Sequence, residues 1–521
     1  MSPEEYMGKI KFMIDDLKAM STDLGLSNTG DEYKIIAELF TYKFLNDKLL
    51  YDFENRDDKN ESFDIFVDFA DSNTAKMKEE HLIDSLYQKQ NKPNFHQILD
   101  KALVEISDMN KDVYAIETIS GKKQNLFEPL ASYIRDENKE NELAKRAINI
   151  LSRHKFTGIY SGGFDYFSSI FEYLIKDYNK DSGKYAEYFT PSFAGNIMAD
   201  ILFNDTPVTN VSVYDPAAGS GTLLLSMANK IGTNNCTIYS QDISQKSTQF
   251  LRINLILNKL AHSLNYVIEG NTLIKPAHRY STDKLQKFDF IVSNPPFNMD
   301  FSSIVEILKA DPFNRFFAGV PNVPNKKKES MAIYQMFLQH IMSSLSEKGK
   351  AAIVVPTGFV SAANGIPLKI RKEMIDENML RAVVHMPANI FATTGTSVSI
   401  LFLDKTKRDE EDVMLLDASN LGTKTKLNDG QRTLLSPTEI AHIIDTTKNR
   451  IEIPDFSKVV SRDLIEENSY SIQAGQYVDL KEEEVRVDVD KELFLLKTKI
   501  KKSLEESKHI DSEILNLFEV K

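Results

Sequence analysis

Two short segments carry residue types that could do chemistry. The first is Asn294-Pro295-Pro296-Phe297, which ends the apolar run Phe288-Asp289-Phe290-Ile291-Val292-Ser293. Proline donates no backbone hydrogen bond, so the pair ends a strand and stiffens the loop at its tip. An amide oxygen from Asn294 and the Pro295 carbonyl are two acceptors that such a loop holds rigid. They suit an exocyclic amine on a planar ring, whose lone pair is delocalised until both hydrogens are held. Phe297 would stack on that ring, and a ring taken from a nucleic acid duplex must first leave the helix. Rigidity places the acceptors before reaction begins. No strong base is required, because the nitrogen loses its proton after it has become cationic.

The second segment is Asp215-Pro216-Ala217-Ala218-Gly219-Ser220-Gly221-Thr222, which follows Val211-Ser212-Val213-Tyr214. In an open α/β sheet, ligands bind outside the carboxyl ends of strands, where the chain turns into a helix. Gly219 and Gly221 let backbone approach a ligand closely, and Asp215 can receive a cationic amine. The dinucleotide fingerprint fails because Leu224 stands where its third glycine would be, and no Gly-Lys-Ser/Thr follows. A plain glycine turn closing a strand–helix unit remains the competing reading.

The elements that must position these segments follow from periodicity. Short β-branched runs alternate with helical patterns from about Val211, at Thr237–Ile243, Tyr266–Glu269, Ala351–Pro356, Leu380–Met386, Val398–Leu403 and Val413–Leu416. Nearly continuous apolar strands between helices predict a parallel sheet covered on both faces. The first ~155 residues read as helical, with Ile35, Leu39, Tyr42, Leu45 and Leu49 on one stripe. Ser161-Gly162-Gly163 breaks the pattern, and the charged C-terminal stretch is helical again, with Leu493, Leu496, Ile500 and Leu504 in register. The predicted division is a helical head at 1–160, an α/β catalytic region at 161–425 and a helical tail at 426–521.

Composition sets outer bounds. The 521 residues are 42% hydrophobic and 27% charged, as in an ordinary soluble globular chain, and hold no apolar run of ~18 residues that would span a membrane. The acidic start Met1-Ser2-Pro3-Glu4-Glu5 lacks the pattern of a secretory signal, and one cysteine, Cys236, excludes an internal disulfide framework. A cytoplasmic setting is expected. The nine histidines show no metal-ligand spacing, so no metal site is expected. The 63 basic residues against 76 acidic ones leave a net charge of −13, which argues against a chain that grips nucleic acid unaided.

With these motifs in place, the chain resembles the modification (methyltransferase) subunit of type I restriction–modification systems, gamma-class adenine-N6 DNA methyltransferases. The resemblance implies an S-adenosylmethionine-dependent, Rossmann-like, mostly parallel sheet flanked by a helical head and tail. Within it, Tyr188-Phe189-Thr190-Pro191 resembles the segment that closes over S-adenosylmethionine. Asp215, Pro216, Ala217, Gly219, Ser220 and Gly221 resemble the methionine-binding loop, and Asp242 the acid that binds the ribose hydroxyls. Asn271, in Gly270-Asn271-Thr272-Leu273, stands where the family usually reads the cofactor's adenine with an aspartate. Asn294, Pro295, Pro296 and Phe297 take the catalytic position. The family implies double-stranded DNA as substrate, a specificity subunit that reads sequence, two modification subunits per complex, and a restriction subunit that joins them.

Blander readings stand beside these. Tyr188 and Phe189 also suit ordinary packing, Asp242 a helix cap, and Cys236 a buried strand start. Lys326-Lys327-Lys328 suits either target-strand phosphates or solvent. The C-terminal stripe suits an intramolecular face or a partner helix. Asn-Pro-Pro-aromatic motifs also serve methylation of glutamine amides or RNA, and a catalytically silent scaffold is a third possibility.

Overall fold

The computed structural model describes residues 3–26, 30–134, 136–156, 160, 190–203, 206–391, 397–406, 411–427, 430–478 and 489–519. It divides into two compact units, Met1–Val478 and Asp479–Lys521. In the second unit the helix Val489–Glu519 leaves Leu493, Phe494, Leu496, Ile500, Leu504 and Ile510 exposed along its length.

The strands, in chain order, are β1 (Ile116–Thr118), β2 (Lys123–Gln124), β3 (Val211–Asp215), β4 (Cys236–Asp242), β5 (Val267–Glu269), β6 (Phe288–Ser293) and β7 (Leu345–Pro356). They continue with β8 (Leu380–His385), β9 (Val398–Asp404), β10 (Val413–Asp417), β11 (Thr423–Leu427), β12 (Gly430–Leu434) and β13 (Ser457–Val460). All but β11 and β12, which pair with each other, lie in one sheet of order β13-β10-β8-β9-β7-β6-β3-β4-β5-β1-β2.

The predicted parallel sheet is present, with additions. β9 runs antiparallel between β7 and β8, and β13 antiparallel along β10. The head is not wholly helical either: β1 pairs parallel with β5 and turns back into β2, widening the sheet at that edge.

Burial explains the layering. Val213, Val292, Val354, Val384 and Ile400 face one core, whereas their neighbours Tyr214, Ile291, Val355, Val383 and Leu401 face the other. Alternation with both faces buried gives the uninterrupted apolar strands, and each such aliphatic side chain stabilises the fold by ~1.5–3 kcal/mol. In the head, Ile35, Leu39, Tyr42, Leu45 and Leu49 of the helix Gly30–Glu54 are all buried, as their spacing predicts. That helix packs against the helix Gln245–Leu257.

The order of strands locates the site. The chain runs β3 to β4 to β5 on one side, then crosses back to lay β6 on the other side of β3. A crevice opens at such a switch point, outside the carboxyl ends of β3 and β6. Asp215 ends β3 and Ser293 ends β6, immediately before Asn294.

Candidate active site

Asp215 is fully buried at the tip of β3, yet among the described residues no cation pairs with it. Burial pushes its carboxyl up to about 7, more than the hydrogen bonds it accepts pull it down. Those bonds come from the Ala217 amide (2.9 Å) and the Ser293 hydroxyl (2.8 Å), both to Oδ1. Oδ2 accepts no hydrogen bond from the described residues, and Asp215 lines a small cleft beyond the strand tips. Thr190, Asp215, Ala217, Ala218, Ser220, Thr222, Leu223 and Asn294 line that cleft.

The loop after β3 follows from its glycines. Gly221 has φ of 86°, a conformation strained for any side chain, and a Cβ there would lie 2.2 Å from the end of the Leu251 side chain. Gly219, at φ 53°, donates its amide to Asp242 Oδ2 (2.8 Å), while Asp242 Oδ1 accepts the Ser244 amide (2.8 Å). Ser244 in turn caps the helix Gln245–Leu257, its hydroxyl accepting from the Ser247 amide (3.2 Å). Asp242 therefore tethers the glycine loop and opens a helix, and burial holds its carboxyl above the usual range. Each of its oxygens keeps a second lone pair for a hydroxyl group. Beside it, Ile243 is 64% exposed, an apolar face at the strand tip.

Asn271 holds a different set of partners from the one its side chain suggests. Its Oδ1 accepts the amides of Leu273 (3.0 Å) and Ile274 (3.2 Å), which uses both lone pairs. The atom left over is Nδ2, a donor. Thr272 bonds its hydroxyl to the Pro216 carbonyl (2.7 Å), locking this turn to the glycine loop.

In the Asn294-Pro295-Pro296-Phe297 segment, Asn294 Nδ2 donates to Thr190 Oγ1 (3.0 Å), and Oδ1 accepts nothing from the described residues. Pro295 is buried, Pro296 and Phe297 half-buried, and the Phe297 ring meets Tyr334 edge-on at 6.4 Å. The loop beyond folds back on itself, Met299 donating its amide to the Met331 carbonyl (3.0 Å), and Lys326, Lys327 and Lys328 are exposed in it.

The structure thus gathers Thr190, Asp215, Ala217, Ser220 and Asn294 around one cleft, with Pro216, Gly219, Gly221 and Asp242 fixing its loop. Tyr188 and Phe189 lie outside the described residues.

Three positions escaped the sequence reading. Ser293 ties the end of β6 to Asp215, and Ile243 offers an apolar face. Arg315 is fully buried, paired with Asp311 (2.7 Å), and donates to the Thr272 (3.0 Å) and Leu273 (2.6 Å) carbonyls. It also donates to His340 Nδ1 (3.2 Å), which burial keeps neutral. The one sequence signal for Arg315 is its i,i+4 spacing from Asp311, which looks like an ordinary surface pair.

A mostly parallel sheet with a glycine loop, a buried unpaired carboxylate and an Asn-Pro-Pro-Phe tip defines the S-adenosylmethionine-dependent methyltransferase class of α/β proteins. The crystal structure of the type I restriction–modification system methyltransferase subunit from Streptococcus thermophilus has the same fold, at TM-score 0.71 and 22% identity, covering 92% of this chain and 100% of that one. The sequence profile of the N-6 DNA methylase family matches residues 163–486, and the chain belongs to that family. Among curated relatives, the type I restriction enzyme MpnII methylase subunit of Mycoplasma pneumoniae is 31% identical over 333 residues, 62% of this chain. The match spans 59% of that relative's length. The MjaVIII methylase subunit of Methanocaldococcus jannaschii is 25% identical over 89% of this chain and 78% of its own.

Proposed function

We propose that this chain transfers a methyl group from S-adenosylmethionine to adenine N6 in double-stranded DNA, as the modification subunit of a type I restriction–modification complex. The observation that carries the reading is the cleft that Asp215 and Asn294 line together. A buried carboxylate without a cation is costly unless a ligand supplies one, and the amino acid moiety of S-adenosylmethionine does. Asp215 would hold that ammonium group, Asp242 the ribose hydroxyls, and the Asn271 Nδ2 donor a ring nitrogen of the cofactor's adenine, with Ile243 covering its face. When bound, the cofactor supplies an electrophilic methyl group.

The remaining chemistry belongs to the chain. Thr190 Oγ1 accepts one hydrogen of the Asn294 amide, which leaves Oδ1 as the atom for the target amine. Asn294 Oδ1 and the Pro295 carbonyl accept its two hydrogens, drawing its lone pair out of the ring. Phe297 stacks on the flipped base, and its edge contact with Tyr334 holds the ring in place. Lys326, Lys327 and Lys328 meet phosphates of the target strand.

Sequence reading falls to a specificity subunit, with two copies of this chain per complex and a restriction subunit able to join. In this reading residues 1–160 are the head, 161–425 the catalytic region, and 426–521 the region of subunit contact. The exposed apolar stripe of the helix Val489–Glu519 is the contact surface. Asn294→Ala should bind S-adenosylmethionine like the wild type yet lose methylation by at least ~100-fold, the scale of removing one preorganised partner of the transition state. Asp215→Ala should lose both. Calorimetry and transfer of labelled methyl to DNA read the two effects; a near-normal rate for Asn294→Ala would sink the acceptor mechanism.

A further inference from the structure

The β1–β2 hairpin belongs to the head, yet it ends at the same sheet edge as the proposed cofactor site. β1 lies parallel beside β5, with Thr118 opposite Glu269, so Ile119 emerges next to Gly270 and Asn271. The Ile119 amide donates to the Glu269 carbonyl (2.8 Å), and Lys275 Nζ donates to the Ile119 carbonyl (3.2 Å). Gln124 of β2 donates to the Glu269 carboxylate (2.5 Å). A Cβ on Gly270 would fall 2.8 Å from Ile119 Cβ and 3.0 Å from its Cγ2, so the turn that carries Asn271 is pressed against the hairpin with no room to spare.

A second clamp comes from the other strand of the site. Arg252, buried in the helix that Asp242 and Ser244 open, donates to the Asn125 carbonyl (2.7 Å), with longer bonds to Gln124 and Leu126 (3.4 Å each). The chain just past Leu126 is anchored in the head, where Phe127 is buried edge-on to Tyr42 at 6.1 Å. Both strand tips that would read the cofactor's nucleoside, Asp242 and Asn271, are therefore braced by one piece of the head.

We infer that the hairpin is a positioning element for the nucleoside end of the cofactor, and that hairpin docking and cofactor binding are thermodynamically linked. Linkage is reciprocal: whatever free energy the docked hairpin adds to cofactor binding, the cofactor adds to hairpin docking. The inference rests on the cofactor reading above and adds to it a role for the head that the catalytic motifs do not reveal. Gly270 has an ordinary backbone conformation, so alanine there acts through contact with Ile119 and not through strain.

Hydrogen exchange on the full wild-type chain, with and without saturating S-adenosylmethionine, tests this beside calorimetry of Gly270→Ala and of Gly270→Ala/Ile119→Gly. Cofactor should slow exchange across 116–126 as well as across 270–274. Gly270→Ala should weaken cofactor affinity by about tenfold, within the usual range of coupling between linked sites, and removing the Ile119 side chain should recover most of it. Unchanged exchange at 116–126 while 270–274 becomes protected, with Gly270→Ala binding like wild type, would overturn the linkage and leave the cofactor reading intact. No heat of binding from the wild type would overturn the cofactor reading, and the linkage with it.

Discussion

At the scale of single residues, the Asp215 carboxyl links function to stability. Its ordinary value is 3.8, and burial raises it to about 7. Between those values the folded chain keeps a proton that the unfolded chain releases, so the group's contribution to stability is lost as pH rises through that window. Asp215→Asn removes the buried charge at nearly constant shape. It should raise the melting temperature of the empty protein at pH 8 by roughly 2–4 °C, the shift that ~1 kcal/mol produces in a large domain. Glu38, also raised to about 7, lies in the head and titrates in both proteins, so the comparison isolates Asp215. The same ionisation governs the ligand: cofactor affinity should climb as pH approaches 7, with about one proton released on binding at pH 6. Calorimetry in buffers of different ionisation enthalpy measures that proton, and its absence would show that Asp215 does not receive the ammonium group. Thr190→Val should lower kcat several-fold with little change in the KM for cofactor, whereas Thr190→Ser should recover the rate.

At the scale of elements, Arg315 ties together two segments of the candidate site. It reaches from the loop behind Phe297 to the carbonyls of Thr272 and Leu273; among the described residues its charge is matched by Asp311 alone, and it also donates to neutral His340. Arg315→Met leaves Asp311 buried and unpaired, and should cost ~3–5 kcal/mol in denaturant unfolding, far above a surface pair. Arg315 also shows where reading a sequence stops. β6 was legible to the residue because an unbroken apolar run ends in two prolines, and Asp215 and Asn294 followed because strand ends share an edge. β1 was not legible, since its three residues sit among helical patterns and find their partner in Glu269 some 150 positions later. The reversed direction of β9 was hidden for a related reason: a strand buried on both faces looks the same whichever way it runs. At Asn271 the sequence could not show that two backbone amides of its own turn claim the side-chain oxygen.

At the scale of the whole molecule, the net charge of −13 fits a catalytic subunit that depends on a partner for its grip on DNA. The isolated chain should bind DNA weakly and without sequence preference; tight, specific binding in a filter or anisotropy assay would contradict that division of labour. Deleting 489–521 should abolish association with the specificity subunit while leaving cofactor affinity and the thermal unfolding of residues 1–478 unchanged, as expected for two compact units. The helix Val489–Glu519 leaves Leu493, Phe494, Leu496, Ile500, Leu504 and Ile510 exposed, an apolar surface for that contact. The central claim concerns which atom is methylated and which residue allows it. The direct test is to supply the chain and its specificity subunit with labelled S-adenosylmethionine and duplex DNA, digest the product and identify the labelled nucleoside. The account predicts N6-methyldeoxyadenosine with wild type and none with Asn294→Ala; label on cytosine or on protein, or undiminished label with Asn294→Ala, would contradict it.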